Sequence, residues 1–149
     1  MIICVNGSVE MQGYNCIMVY SSDGKNILFC RRTADPYIGK YNLVGGKIEK
    51  DEDGFEAAYR ELAEETGITR DIIELRHMMD FVYYNQDCYV EIYVGHIDMK
   101  TVLEQEKHPL IWISSEEDFF DLEKFAGEGN IGHMVEQVRI YGEGSGQEE

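Results

Sequence analysis

The chain is 149 residues long, enough for one domain with its own core and no need of disulfide or metal staples. Hydrophobic residues make up 44% and aromatic ones 11%, which excludes a disordered chain. Lys and Arg number 13 against 29 Asp and Glu, a formal net charge of −16, and such a surface repels DNA and RNA polymers. The start, Met1-Ile2-Ile3-Cys4-Val5-Asn6-Gly7, has no basic region and too short an apolar stretch for a signal peptide. No apolar run approaches the roughly 20 residues that span a bilayer. A cytoplasmic protein without membrane contact is therefore expected. Cys4, Cys16, Cys30 and Cys88 form no C-x-x-C pair and read as reduced residues, not as a zinc or disulfide framework.

Residues 12–20 and 26–32 read as two strands joined by a hairpin turn at Ser22-Asp23-Gly24-Lys25. Thr33 to Tyr41, with Pro36 and Gly39, reads as a loop. Gly45-Gly46 then leads into a helix on which Phe55, Ala58, Tyr59 and Leu62 recur at helical spacing. Gly67 is placed to end it in the left-handed conformation, and Ile68 to fold back on it. Two further strands, 77–84 and 88–97, are joined at Asn85-Gln86-Asp87. The second alternates Tyr89, Glu91 and Tyr93 with Val90, Ile92 and Val94. A polar connection, 98–108, precedes a short strand around Leu110–Ile113. Ser114-Ser115-Glu116-Glu117 is expected to start a helical turn carrying Phe119, Phe120 and Leu122. Asn130 is a plausible N-cap for a last helix with Ile131, Met134, Val135 and Val138 on one face. Residues 1–141 are expected to form a single domain, and the apolar-free stretch 142–149 a disordered acidic tail. Strands, helix, strands, helices in that order predict an α/β fold, a mixed sheet with helices packed on it.

The segment from Gly46 to Ile68 stands apart. A glycine loop feeds a helix whose second half carries Arg60, Glu61, Glu64 and Glu65. At ~100° per residue the three acids fall within about one 100° sector, beside the apolar face and at the rim of the core. Glu61 and Glu65 are a like-charge pair one turn apart, which is unfavourable unless a cation intervenes. Clustered carboxylates suit hard divalent cations such as Mg²⁺, and the loop glycines let backbone approach a ligand closely.

The full spacing is G-x5-E-x7-R-E-U-x-E-E-x-G-U, with U aliphatic. Gly46, Glu52, Arg60, Glu61, Leu62, Glu64, Glu65, Gly67 and Ile68 meet every fixed position. By this pattern the chain resembles the Nudix hydrolases. The resemblance implies an α/β/α sandwich with a mixed β-sheet, and hydrolysis of a nucleoside diphosphate linked to another group with a divalent cation, Mg²⁺ or Mn²⁺. It implies that Glu61, Glu64 and Glu65 are metal-binding carboxylates and that the Gly45 carbonyl is a further ligand. Arg60 resembles the arginine that orients and neutralises these acids, and Glu52 the glutamate that braces loop and helix. Two residues compete for the role of general base. One is Glu61. The other is Glu106, because Glu106, Pro109 and Trp112 reproduce a spacing of the MutT branch; Glu104 is a near neighbour.

The flanks resemble the same branch. Arg31-Arg32 ends a strand as in MutT-type members, whose second arginine contacts substrate phosphates, so Arg32 is the expected phosphate contact. Tyr41-Asn42 precedes the glycines, where an Asn reads a purine edge, and Asn130 matches an Asn that recognises an oxidised purine. Val44 and Tyr41 depart from MutT, which usually has proline and often tryptophan there. ADP-ribose members usually carry a proline about 15 residues past the box, and none stands around Phe81–Tyr84. Diadenosine polyphosphate members tend to carry a tyrosine there, and Tyr83 and Tyr84 are present. The expected activity is cleavage of a nucleoside triphosphate, of the 8-oxo-dGTP type, to monophosphate and pyrophosphate. The alternatives are a dinucleotide polyphosphate or ADP-ribose hydrolase, or a non-catalytic nucleotide sensor. The expected partner is a nucleotide, with the chain a monomer or homodimer.

Overall fold

The computed structural model describes residues 11–105 and 107–142. Cys4, Glu106 and the expected tail from residue 143 lie outside the described residues. Six strands and two α-helices follow in the order β1 (Gln12–Ser21), β2 (Asn26–Arg31), β3 (Tyr41–Asn42), α1 (Gly54–Thr66), β4 (Arg76–Tyr83), β5 (Cys88–Ile97), β6 (Leu110–Ser114) and α2 (Asn130–Tyr141). A single 3₁₀ turn, Tyr84–Gln86, joins β4 to β5.

The strands form one mixed sheet. β1 runs parallel to β5 along its whole length, from Gln12 opposite Cys88 to Ser21 opposite Ile97. β4 lies antiparallel on the outer edge of β5, with a register shift between His77 and Met79. On the other side β2 meets β1 at Tyr20 and Ile27, beside the hairpin turn, and pairs antiparallel with β6. Inside that turn Asp23 Oδ1 accepts from Ser21 Oγ and from Lys25 N, at 2.7 and 3.0 Å. The Asx side chain thus supplies the acceptor that closes the turn.

Alternation along β1 and β5 sorts side chains between two layers. Met18, Tyr20, Ile92 and Val94 face a cluster completed by Ile131, Met134, Val135 and Val138 of α2. Ile17, Val19, Tyr93 and Ile97 face the opposite cluster, with Ala58 and Leu62 of α1. The period-two pattern of β5 therefore divides two buried layers rather than core from solvent. The result is the α/β/α sandwich with a mixed sheet. No helix among the described residues is long and apolar enough to cross a membrane.

Two local expectations are corrected. Residues 115–122 form turns, not a helical turn. Phe119 is buried there while Phe120 and Leu122 stay exposed. The Asx and Ser turns at Ser114, Asp118 and Asp121 capture backbone N–H groups of Glu116, Phe120 and Glu123, which competes with helix. Asn130 is the first residue of α2 and not its N-cap. Gly129 holds that position at φ 94°, with no side-chain cap bond.

Candidate active site

β1 and β2 diverge beyond their contact at Tyr20 and Ile27, and the chain from Tyr41 to Ile48 is wedged into the gap. Tyr41 and Asn42 pair with Arg31 and Cys30 of β2. The backbone then crosses to β1. Ile17 N donates to the Val44 carbonyl at 2.8 Å, Asn15 N to the Gly46 carbonyl at 2.8 Å, and Ile48 N to the Gly13 carbonyl at 2.9 Å. The Gly45 carbonyl takes no part in this ladder. Its N–H donates to Glu65 Oε1 at 3.3 Å, so this residue faces α1.

The two glycines answer to different neighbours. A Cβ on Gly45, at φ 150°, would stand 2.1 Å from the Asn15 carbonyl oxygen of β1. A Cβ on Gly46 would stand 2.4 Å from the Glu61 carboxyl carbon. Asn15, buried in β1, holds the loop from below, its Oδ1 accepting from Gly46 N at 2.9 Å. Sequence reading missed this residue, because a lone Asn in an apolar strand carries no motif.

α1 begins at a cap in which Asp53 Oδ2 accepts from Phe55 N and Glu56 N, at 3.1 and 3.2 Å. It ends at Gly67, whose φ of 79° is the left-handed conformation expected from the sequence. Ala57, Ala58, Leu62 and Thr66 are buried, and Ala58 and Leu62 pack with strand residues of the sheet. This fixes the rotation of the helix and leaves Glu61, Glu64 and Glu65 at the rim. Arg60 then gathers the acids. Its Nε and Nη2 fork onto Glu52 at 2.8 and 2.9 Å, and Nη2 also donates to the Lys47 carbonyl at 3.1 Å. Its Nη1 reaches Glu61 Oε2 and Glu64 Oε1 at 3.2 and 3.3 Å. Glu52 Oε1 further accepts from Glu49 N at 2.9 Å, so the Glu52 carboxylate ties the loop to the helix.

Glu61, Glu64 and Glu65 line a pocket of about 350 Å³ with Lys107. Their surroundings differ. The Glu61 side chain is 13% exposed and that of Glu64 57%. Burial pushes the Glu65 carboxyl up to about 6, against the pull of the Gly45 N–H and with the help of the Glu61 charge. Burial also raises Glu61, against the pull of Arg60. Glu52 is held below the ordinary carboxylate range by its hydrogen bonds to Arg60. A cleft of about 370 Å³ beside Gln12, Glu49, Asp51 and Tyr89 also borders Glu52, but that carboxylate is already committed to Arg60.

Among the described residues no group of three or more His, Cys, Asp or Glu side chains stands, as placed, close enough to hold a metal ion. The donor set is instead open. It offers carboxylate oxygens on one wall of a pocket, two of them with pKa values raised by burial beside like charges. Mg²⁺ keeps several waters and takes only one or two carboxylates beside substrate phosphates, so these residues fit such a cation.

The remaining predicted residues are not among those that line this pocket. Arg32 turns its guanidinium onto its own loop, with Nε donating to the Pro36 carbonyl at 3.0 Å and Nη2 to those of Ala34 and Asp35 at 3.4 and 3.3 Å. Asn42 Oδ1 accepts from Leu43 N at 2.8 Å. Asn130 donates through Nδ2 to the Tyr83 hydroxyl. Tyr41 exchanges backbone bonds with Lys124 and Ala126, both at 2.9 Å, so the segment leading to Asn130 is laced to the strand of Asn42. Glu104 N donates to the Thr66 carbonyl at 2.8 Å, and its side chain lies against Gly67 at the end of α1. Glu106 lies outside the described residues. Lys107 escaped the sequence reading, since nothing in a polar connection marks which side chain reaches a helix far away in the chain.

The family model for the NUDIX domain matches residues 11–136. No curated protein sequence matches the chain. Among solved structures, the chain is similar to an Ap4A hydrolase of C. elegans at 17% identity and a TM-score of 0.69, covering 88% of this chain and 97% of that one. A MutT NUDIX hydrolase from Burkholderia pseudomallei is 19% identical at a TM-score of 0.64, over 87% of this chain and 98% of the other. A MutT protein from Methanosarcina mazei is 20% identical at 0.63, over 90% and 94%. At these identities the likeness is one of fold.

Proposed function

The chain belongs to the Nudix family, and from that premise we propose that it cleaves a nucleoside triphosphate to monophosphate and pyrophosphate, in the manner of the MutT type that takes oxidised purine nucleotides. Hydrolysis of a pyrophosphate linkage with a divalent cation is the family's chemistry. The observation that carries the reading is the pocket in which Glu61, Glu64 and Glu65 face open space beside Gly45, with Arg60 and Glu52 behind them.

In this reading Glu61, Glu64, Glu65 and the Gly45 carbonyl hold Mg²⁺ or Mn²⁺. The bound cation supplies Lewis-acid activation of water and neutralises phosphate charge. The residues themselves do the rest. Arg60 fixes the carboxylates of Glu61 and Glu64 in one orientation and offsets their repulsion. Glu61 is the first candidate to take the proton of the attacking water. Glu106 is the second candidate for that step. Arg32 would leave its loop carbonyls to meet phosphate, and Asn42 and Asn130 would read the base through amide donors and acceptors.

One observation favours a second substrate. Tyr84, 72% exposed on the 3₁₀ turn, offers a flat ring that a second nucleoside of a dinucleotide polyphosphate could stack on. A panel of oxidised and normal dNTPs, ADP-ribose and dinucleotide polyphosphates, incubated with Mg²⁺ and assayed for released phosphate and pyrophosphate, decides between them. Pyrophosphate release from a dNTP is expected. The absence of metal-dependent cleavage of every diphosphate would sink the reading. Glu64→Gln and Glu65→Gln are expected to abolish turnover while leaving the circular dichroism spectrum unchanged.

A further inference from the structure

The carboxylate pocket contains a cation of its own. Lys107 is the one basic residue that lines it with Glu61, Glu64 and Glu65. Its charge acts on both Glu61 and Glu65. The other arginines near the site are engaged: Arg60 by Glu52, Glu61, Glu64 and the Lys47 carbonyl, Arg32 by the carbonyls of residues 34–36. Lys107 makes no ion pair or hydrogen bond with a described residue.

The position of Lys107 is set by the backbone around it. Before it, Glu104 N donates to the Thr66 carbonyl at the end of α1, at 2.8 Å. Gln105 Oε1 accepts from Leu110 N at 2.8 Å, closing the connection on itself. After it, the His108 ring accepts from Thr33 N and lies 2.9 Å from Thr33 Oγ1, while Arg31 N donates to the Pro109 carbonyl at 2.9 Å. The connection is thus pinned to α1 on one side and to β2 on the other, with Lys107 between the pins. A lysine suits this place better than an arginine. Its ammonium is a point charge on a flexible stem, able to withdraw without breaking a forked contact.

We propose that Lys107 is a built-in positive charge on the wall of the pocket, against which a divalent cation must bind, so that this residue sets the metal affinity of the site. This rests on the assignment of Glu61, Glu64 and Glu65 to a cation. The physical reason is direct. A divalent ion entering the pocket meets three carboxylates that attract it and one ammonium that repels it, in a partly desolvated space where charges are weakly screened. Removing the ammonium removes the repulsion and leaves the ligands intact.

The test is titration of the full-length protein with Mn²⁺ alone, followed by calorimetry and by the electron paramagnetic resonance of free Mn²⁺, with no nucleotide present. Lys107→Met is expected to tighten Mn²⁺ binding by about threefold to tenfold, and Lys107→Arg to leave it near the wild-type value. Raising the salt concentration should shrink the difference. Unchanged or weaker Mn²⁺ binding by Lys107→Met overturns the proposal. A variant with unchanged Mn²⁺ affinity but a raised KM would assign the ammonium to the substrate phosphates instead, and also overturns it. Glu65→Gln separates the two levels of the argument. If it weakens Mn²⁺ binding while Lys107→Met changes nothing, the metal assignment stands and the role of Lys107 falls. Failure of the wild type to bind Mn²⁺ removes both.

Discussion

Gly46 sits against the carboxylate of Glu61 with no room for a methyl group between them: a Cβ there would lie 2.4 Å from the carboxyl carbon. The neighbouring Gly45 is as crowded, but by the main chain of Asn15 at 2.1 Å. A carboxylate is the far end of a flexible side chain, whereas a strand backbone cannot yield. Gly46→Ala should therefore keep the fold, with a stability change below about 1 kcal/mol, and lower activity about 100-fold through displacement of Glu61. Gly45→Ala should cost about 2–4 kcal/mol of stability. Urea denaturation of the two variants beside kcat measurements distinguishes them. Equal losses of stability would show that the two contacts are not different in kind.

The Arg60–Glu52 fork links loop to helix with 31% and 18% of the two side chains exposed. Arg60→Gln should cost about 1–2 kcal/mol, since it leaves Glu52, Glu61 and Glu64 without their cation. The same pair sets a pH dependence. Arg60 holds the Glu52 carboxyl below its ordinary value of 4.5. The unfolded chain therefore binds the Glu52 proton first as pH falls. Stability from this group is present above 4.5 and is lost as pH drops through the lowered native value. Urea midpoints of wild type and Arg60→Gln, measured in EDTA between pH 6 and 3, should converge as pH falls.

Cys30 is buried and Cys16 partly so, and desolvation foremost pushes the Cys16 and Cys30 thiols up to about 12 and about 11. At pH 8 fewer than about one in a thousand Cys30 side chains would be thiolate, the reactive form. Iodoacetamide should leave both unmodified in the native protein and alkylate both in urea, as read by peptide mass spectrometry. The sign of the linkage is opposite to that of Glu52. Above the ordinary 9.0 the unfolded chain releases its thiol protons first, so stability falls as pH climbs toward the native values.

Asn130 donates to the Tyr83 hydroxyl from the first turn of α2. If its amide reads a base, Asn130→Ala should raise KM about tenfold for the preferred purine nucleotide, the size of one lost neutral hydrogen bond, and flatten the preference among bases. Tyr83→Phe frees the amide without deleting it and should preserve the preference. Identical base profiles for wild type and Asn130→Ala would remove Asn130 from recognition.

Much of this protein was legible in one dimension, because the signals are local. The spacing of Phe55, Ala58, Tyr59 and Leu62, closed by Gly67, places α1 and its acids at the rim with no tertiary information. The Ser22–Lys25 turn and the alternation of β5 are equally short-range. Interactions that join distant segments were decided only by the tertiary structure. The divergence of β1 from β2 makes the gap that the Gly45-Gly46 segment enters, and it brings Asn15 beneath the loop. Arg32 spends its donors on its own loop, and Asn130 finds Tyr83 rather than its helix N-terminus. Lys107 reaches the acids because the connection carrying it is pinned to both α1 and β2. Periodicity and capping report what a residue does to its neighbours within a turn or two. Which charge meets which across the sheet depends on how strands separate and loops are tied, and no spacing along the chain encodes that.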